Sequence, residues 1–303
     1  MDWEKRLSEI PEIINELTPE TFDTFEKFVR YKVNIGRKSL HTIQGYLTAF
    51  TLLFSHLETT DIKLISREMV LSWLMFYSVG KKPSTVFSML SRLDTFFNYC
   101  VHKVKIIPKS PIRSCWRPKT IKLLPKYIPA SDLAKICILA EQLPIRDHVL
   151  HEFLKCSGCR RSEIVGVNVS DIDFKNGIVM VFGKGRKHRP VQLSTDCIYL
   201  INEYLKEKRP DGQDALFLNQ YGERISDRLI YRLTIELGIE AGLIKPLHPH
   251  KYRHSYATGM VERGCSILEV QRCLGHEDIS STMIYTFLFF RDIQLDYDKY
   301  MED

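Results

Sequence analysis

The sequence predicts a mainly α-helical protein in two parts: a helical domain, then a second domain that is helical with a small antiparallel sheet. Three observations predict it. Apolar residues recur at helical spacing through most of the 303 residues. A basic stretch broken by prolines divides the chain. One segment, residues 171–194, alternates apolar and polar positions around turn signals. An apolar fraction of 44% and a charged fraction of 26% are ordinary for a globular chain. No run reaches the roughly 18 apolar residues of a membrane span, and the acidic start MDWEKRLSEI is no signal peptide. The eight cysteines then read as reduced thiols, and a cytoplasmic protein with no membrane partner is expected.

Taken in order, residues 1–17 place Trp3, Leu7, Ile10 and Ile14 on one helical stripe that Pro11 interrupts. Thr18 then caps a helix with Pro19 at its first position, carrying Phe22, Phe25, Val29 and Val33 as far as Gly36. Ser39 opens the next, and Ser66 and Ser84 open two more. These helices make a compact all-α domain over residues 18–107, with its aromatics in the core. From Pro108 to Pro129 five prolines describe an extended linker. The second domain, residues 130–290, starts with a helix at Ser131 and a buried helix ending near Gly158. The strand segment follows, with Asn176-Gly177 as one hairpin turn and Gly183–Gly185 as another. Helices resume near Cys197 and Ile225. Pro249 suits the first position of a helix, Ser266 and Glu269 form a capping box, and Gly275 stops that helix.

Charge is unevenly placed. Residues 1–26 hold eight acids against two bases, whereas between Asp94 and Asp132 eight lysines and arginines occur without an acid. Such a block points to a polyanion, most simply a nucleic-acid backbone. Lys103, Lys105, Arg113, Arg117, Lys119 and Lys122 are the expected contacts there, joined by Arg186, Lys187 and Arg189 of the second hairpin.

The chemistry concentrates between His248 and Tyr285. His250 and Arg253, three apart at a helix N-terminus, share a face where free N–H groups favour an oxyanion. His276 follows the glycine stop, and Tyr285 comes nine residues later. Upstream, SGCRRSE supplies Arg160 and GKGRKHRP supplies Lys184 at a hairpin tip. Two arginines can clamp the non-bridging oxygens of a phosphodiester under attack. A tyrosine hydroxyl with a pKa near 10 needs a proton acceptor to attack at neutral pH, and His250 is expected to serve. His276 should donate to a phosphate oxygen and Lys184 should protonate the departing 5′ oxygen. A covalent phosphotyrosyl link keeps the energy of the broken bond, so no cofactor, ATP or metal is expected. Each residue also has a plain alternative: Arg160 as an ion pair of Glu163, Tyr285 as a core tyrosine. Cys156-x-x-Cys159 lacks the second pair that would make a zinc site.

Arg160, Lys184, His250-x-x-Arg253, His276 and Tyr285 stand in the order of the tyrosine recombinases, and the chain resembles that family, which includes lambda integrase and the Xer enzymes. The resemblance covers most of the chain. SGCRRSE stands where the family often has T-G-L-R-x-S-E, with Arg161 replacing a small or apolar residue. It implies a SAM-like core-binding domain before a catalytic domain, and site-specific strand exchange through a 3′-phosphotyrosyl intermediate and a Holliday junction. The implied partner is a double-stranded DNA recombination site, bound by a protein that is monomeric in solution and a homotetramer in the synapse, with an accessory or partner recombinase as an option. The implied place is the nucleoid. Xer-like resolution or mobile-element recombination is the expected role; a phage-type integrase and a catalytically silent DNA-binding regulator are the alternatives. Residues 291–303, acidic and rich in large apolar groups, are expected to dock on a neighbouring protomer.

Overall fold

Several helix start signals act as expected, among them Thr18-Pro19 and Ser66, whereas Ser84 and Ser131 lie one residue inside helices that begin at Pro83 and Ala130. The computed structural model describes residues 17–35, 40–119, 127–183, 188–275 and 282–285. The expected helix over residues 1–17 (apart from Leu17), Lys122, Lys184, Arg186, Lys187, His276 and the tail 291–303 lie outside the described residues. The chain divides into two compact units, Met1–Ile121 and Lys122–Asp303.

In the first unit, Thr18 Oγ1 accepts from Thr21 N and Pro19 opens α1 (Pro19–Asn34). Three helices follow: α2 (Leu40–Phe54), α3 (Arg67–Ser78, capped by Ser66) and α4 (Pro83–Tyr99). Their inward faces are aromatic. Phe25 and Phe50 stack at 3.9 Å, Phe96 meets both edge-on, and Trp73 is 1% exposed with its Nε1 donating to the Leu52 carbonyl. Each such side chain contributes about 1.5–3 kcal/mol on burial, so these rings are core, as expected.

The supposed linker departs from expectation in its first half. A π-turn over Cys100–Val104 ends α4, with Lys105 in the left-handed region at φ 59°. Ile107 and Ile112 are then buried in the helical core, and Trp116, in a 3-10 turn over Ser114–Trp116, packs against it. Prolines break helices, but they do not stop the apolar residues between them from packing. Residues 107–116 therefore belong to the first unit.

The second unit begins with α5 (Ala130–Ala140), α6 (Ile145–Ser157) and the short α7 (Arg161–Gly166). A three-stranded antiparallel sheet of order β1-β2-β3 follows: Ile172–Asp173, Ile178–Phe182 and His188–Gln192. Gly177 takes the positive φ of 66° that the first hairpin needs. Val179 pairs with Val191, and both point to the core, while Met180 and Phe182 face outward. Next come α8 (Thr195–Leu205, capped by Ser194) and α9 (Asp227–Glu240, capped by Ser226). The last helices are α10 (Pro249–Glu262) and α11 (Ile267–Leu274), the latter with the Ser266–Glu269 capping box and Gly275 as its left-handed stop. A 3-10 turn, Met283–Tyr285, packs on α10. The core of this unit runs through Phe153, Ile164, Ile201, Phe217 and Tyr252.

Candidate active site

The site grows from the corner between α6 and α7. Gly158 turns the chain with φ 59°, and a Cβ there would lie 2.5 Å from the Tyr256 ring. Arg160 follows at the N-cap of α7. Its amide donates to Glu163 Oε2 at 2.8 Å, and its Nη1 donates to Oε1 at 2.7 Å. Glu163 is only 2% exposed and also receives Arg189 Nη2 at 2.9 Å. Burial alone would raise the Glu163 carboxyl, but the Arg160 amide and the two guanidiniums outweigh it and hold the group below its ordinary range.

Arg189 corrects an expectation. Its side chain is 13% exposed, one nitrogen is on Glu163, and Nη1 donates to the Cys273 carbonyl at the end of α11. A guanidinium spent on a buried carboxylate and a helix-end carbonyl does not reach for a DNA phosphate. It braces β3 against the corner and against α11. Arg189 Cδ also fills the space beside Gly275, where a Cβ would lie 2.6 Å away.

Arg253 does a parallel job from α10. It is 5% exposed; Nη1 donates to the Gly158 carbonyl at 2.6 Å and Nη2 to the Leu274 carbonyl at 2.7 Å. Both bonds satisfy chain-end carbonyls that a helix leaves without partners. Burial and the nearby Arg160 charge push this guanidinium down to about 10. Arg160 and Arg253 therefore stand close together, as the sequence expects, with the end of α11 fixed between Arg189 and Arg253. His276, one residue past Gly275, lies outside the described residues, as does Lys184 on the β2–β3 connection.

His250, at the second position of α10, is exposed. Partial desolvation and the charges of Arg253, Arg161 and Arg160 lower its imidazole. Tyr285 is 1% exposed and packs with Ala257, Val261, Val270 and Leu274. Its Oη is 2.7 Å from the Nδ1 of His254, not of His250. Burial pushes the Tyr285 hydroxyl up to about 12 against the opposing effect of Arg253. The sequence held a signal for this: His254 lies four residues after His250, on the same helix face.

The remaining expected contacts divide. Lys103, Lys105, Arg113 and Lys119 are exposed. Arg117 is only half available, since Nη2 bonds Asp94 Oδ2 at 2.6 Å and the guanidinium lies over Phe87. Cys159 is buried, with its thiol pushed up to about 11 by desolvation. Among the described residues no group of three or more metal-ligating side chains gathers.

Two guanidiniums and an exposed imidazole around one corner, with a tyrosine hydroxyl held against α10 by His254, define a class: a site for an anionic phosphodiester with an oxygen nucleophile beside it. The comparisons with known proteins agree. Residues 126–291 match the phage integrase family. The tyrosine recombinase XerD of Listeria innocua is 30% identical over 278 residues, spanning 87% of this chain and 93% of its own. XerC of Escherichia coli O157:H7 is 36% identical over 213 residues, 69% of this chain and 71% of its own. Among solved structures, XerH bound to palindromic difH superposes with a TM-score of 0.72 at 22% identity, over 96% of this chain and 93% of that one. A lambda integrase dimer on a COC' core site gives 0.71 at 17% identity, over 87% and 94%. The chain belongs to the phage integrase family of tyrosine recombinases. Its activity is site-specific DNA recombination through a phosphotyrosyl intermediate and a Holliday junction.

Proposed function

We propose that Tyr285 is the nucleophile of this recombinase and that Arg160, Arg253 and His250 hold the scissile phosphate. Arg160 and Arg253 stabilise the charge that builds on the non-bridging oxygens. Exposed His250, beside both arginines, donates to the same phosphate. Lys184 protonates the leaving 5′ oxygen and His276 completes the phosphate contacts. The observation that carries this reading is the convergence of Arg160, Arg253 and His250 on one corner, with the Tyr285 hydroxyl held one turn along α10.

The substrate is a duplex recombination site, gripped through its backbone by Lys103, Lys105, Arg113 and Lys119 of the first unit and by Lys122, Arg186 and Lys187 of the second. The helical first unit acts as the core-binding domain, and four protomers form the synapse, with residues 291–303 as the protomer-to-protomer contact. The XerD and XerC relatives favour an Xer-type resolution role, in a cytoplasmic, nucleoid-bound protein. Tyr285→Phe tests the reading: it should bind the site normally and form no covalent adduct with a nicked suicide duplex. An adduct with this variant would transfer the nucleophile to another residue.

A further inference from the structure

We propose that His254, the residue after Arg253, is the proton acceptor for Tyr285 in strand cleavage. The proposal rests on Tyr285 being the nucleophile. Its ground is contact with the reacting atom: His254 Nδ1 lies 2.7 Å from Tyr285 Oη. In the tautomer that carries its proton on Nε2, Nδ1 presents a lone pair at this distance and accepts from the hydroxyl. With Tyr285 1% exposed, bulk water is a poor alternative acceptor.

Electrostatics agree with the geometry. With the hydroxyl pushed up to about 12, on the order of one phenolate in 10⁵ exists at neutral pH, so attack needs a base in place. His254 is held below the ordinary imidazole range by desolvation, then by His250 and Arg253. A neutral ring has a lone pair to accept with. The charged and titratable groups facing it are His250 and Arg253 on its own helix and Tyr285 from the 3-10 turn. Arg253 disfavours a second positive charge while the site is empty. A bound phosphodiester brings a negative charge to Arg160 and Arg253 and relieves that cost. The base is therefore strengthened by its substrate, and α10 divides its histidines: His250 toward the phosphate, His254 toward the nucleophile.

The step balances. Oη forms a bond to phosphorus and gives its proton to Nδ1. The P–O5′ bond breaks with its electron pair on O5′, which takes a proton from Lys184. On rejoining, the 5′ hydroxyl attacks, Lys184 recovers its proton, and His254 returns one to the departing tyrosine oxygen.

The experiment is single-turnover cleavage of a nicked suicide duplex at saturating full-length protein, across the acid side of neutrality. The variants are His254→Ala, His254→Gln and His250→Ala. His254→Ala should slow cleavage by about 10²- to 10⁴-fold, as loss of a general base does, and should lose the acid limb of the pH profile. His254→Gln, which keeps a hydrogen-bonding side chain without basicity, should be equally slow. Added imidazole should restore part of the His254→Ala rate, and so should a fluorinated tyrosine of lower pKa at position 285. Should His254→Ala not fold, His254→Gln carries the test, with DNA affinity and melting as folding controls. The proposal is overturned if either variant cleaves within about twofold of the wild type, or if the acid limb vanishes in His250→Ala and persists in His254→Gln. These results leave Tyr285 as nucleophile, a question that adduct formation by Tyr285→Phe decides separately.

Discussion

The corner at Glu163 and the surface stretch from Lys103 to Lys119 carry the same kind of charge and treat it differently. At the corner, a carboxylate 2% exposed holds Arg160 and Arg189, and chain-end carbonyls hold Arg253. Along the stretch, Lys103, Lys105, Arg113 and Lys119 project into solvent, in a span of sequence without an acid. Held cations have a fixed direction and can distinguish a transition state from a ground state. Solvated cations contribute by number, through counterions released from the DNA. Removing one cation from the corner should therefore damage chemistry and folding, while removing several from the stretch should damage binding alone.

The sharpest break of this contrast is Glu163→Gln. It leaves two guanidiniums without their carboxylate and should cost about 3–5 kcal/mol of stability in denaturant unfolding, as breaking a buried pair does. The sign with pH follows from the depressed folded value. The difference between wild type and variant should be full above the ordinary carboxylate value of 4.5 and lost as pH falls through the folded one. A difference that grows on acidification would show that Glu163 is not ionised in the fold.

Arg253→Ala should lower single-turnover cleavage at saturating DNA by about 10²- to 10³-fold. Arg253→Lys should not restore it, because one ammonium cannot reach both the Gly158 and Leu274 carbonyls as a planar fork does. Full rescue by lysine would reduce Arg253 to a point charge.

Replacing Lys103, Lys105, Arg113 and Lys119 together with glutamine should flatten the salt dependence of binding by about 0.9 per lost phosphate contact. Cleavage of fully bound DNA should keep its rate. A slower bound-state rate would mean that the stretch also positions the strand. Smallest of all, Arg117→Ala removes a partly exposed pair with Asp94 and should cost about 0–1 kcal/mol. A change in salt slope as large as that of its exposed neighbours would return Arg117 to the DNA contacts.

Most local signals were read correctly, but Ser84 and Ser131 lie inside helices that begin at Pro83 and Ala130, where proline rather than serine sets the start. Thr18-Pro19, Ser66, the Ser266–Glu269 box, Gly275 and Asn176-Gly177 each act on backbone groups within a few residues, and each begins, ends or turns an element as expected. Reading failed where direction depends on a distant partner. Arg189 sits in a basic run and looked solvent-facing, but the carboxylate that turns it inward is Glu163, 26 residues earlier. His250 and His254 share a face, and only the descent of the Met283–Tyr285 turn decides which meets Tyr285. The prolines after Lys105 announced irregular backbone and said nothing of Ile107 and Ile112 entering the core.

The central claim is that the corner of Arg160, Arg253 and His250 presents a phosphate to Tyr285. Its most direct measurement is to trap the wild type on a nicked suicide duplex, digest the adduct and locate the nucleotide-bearing peptide by mass spectrometry. The account predicts a phosphotyrosyl bond at Tyr285. A nucleotide on any other residue would contradict it.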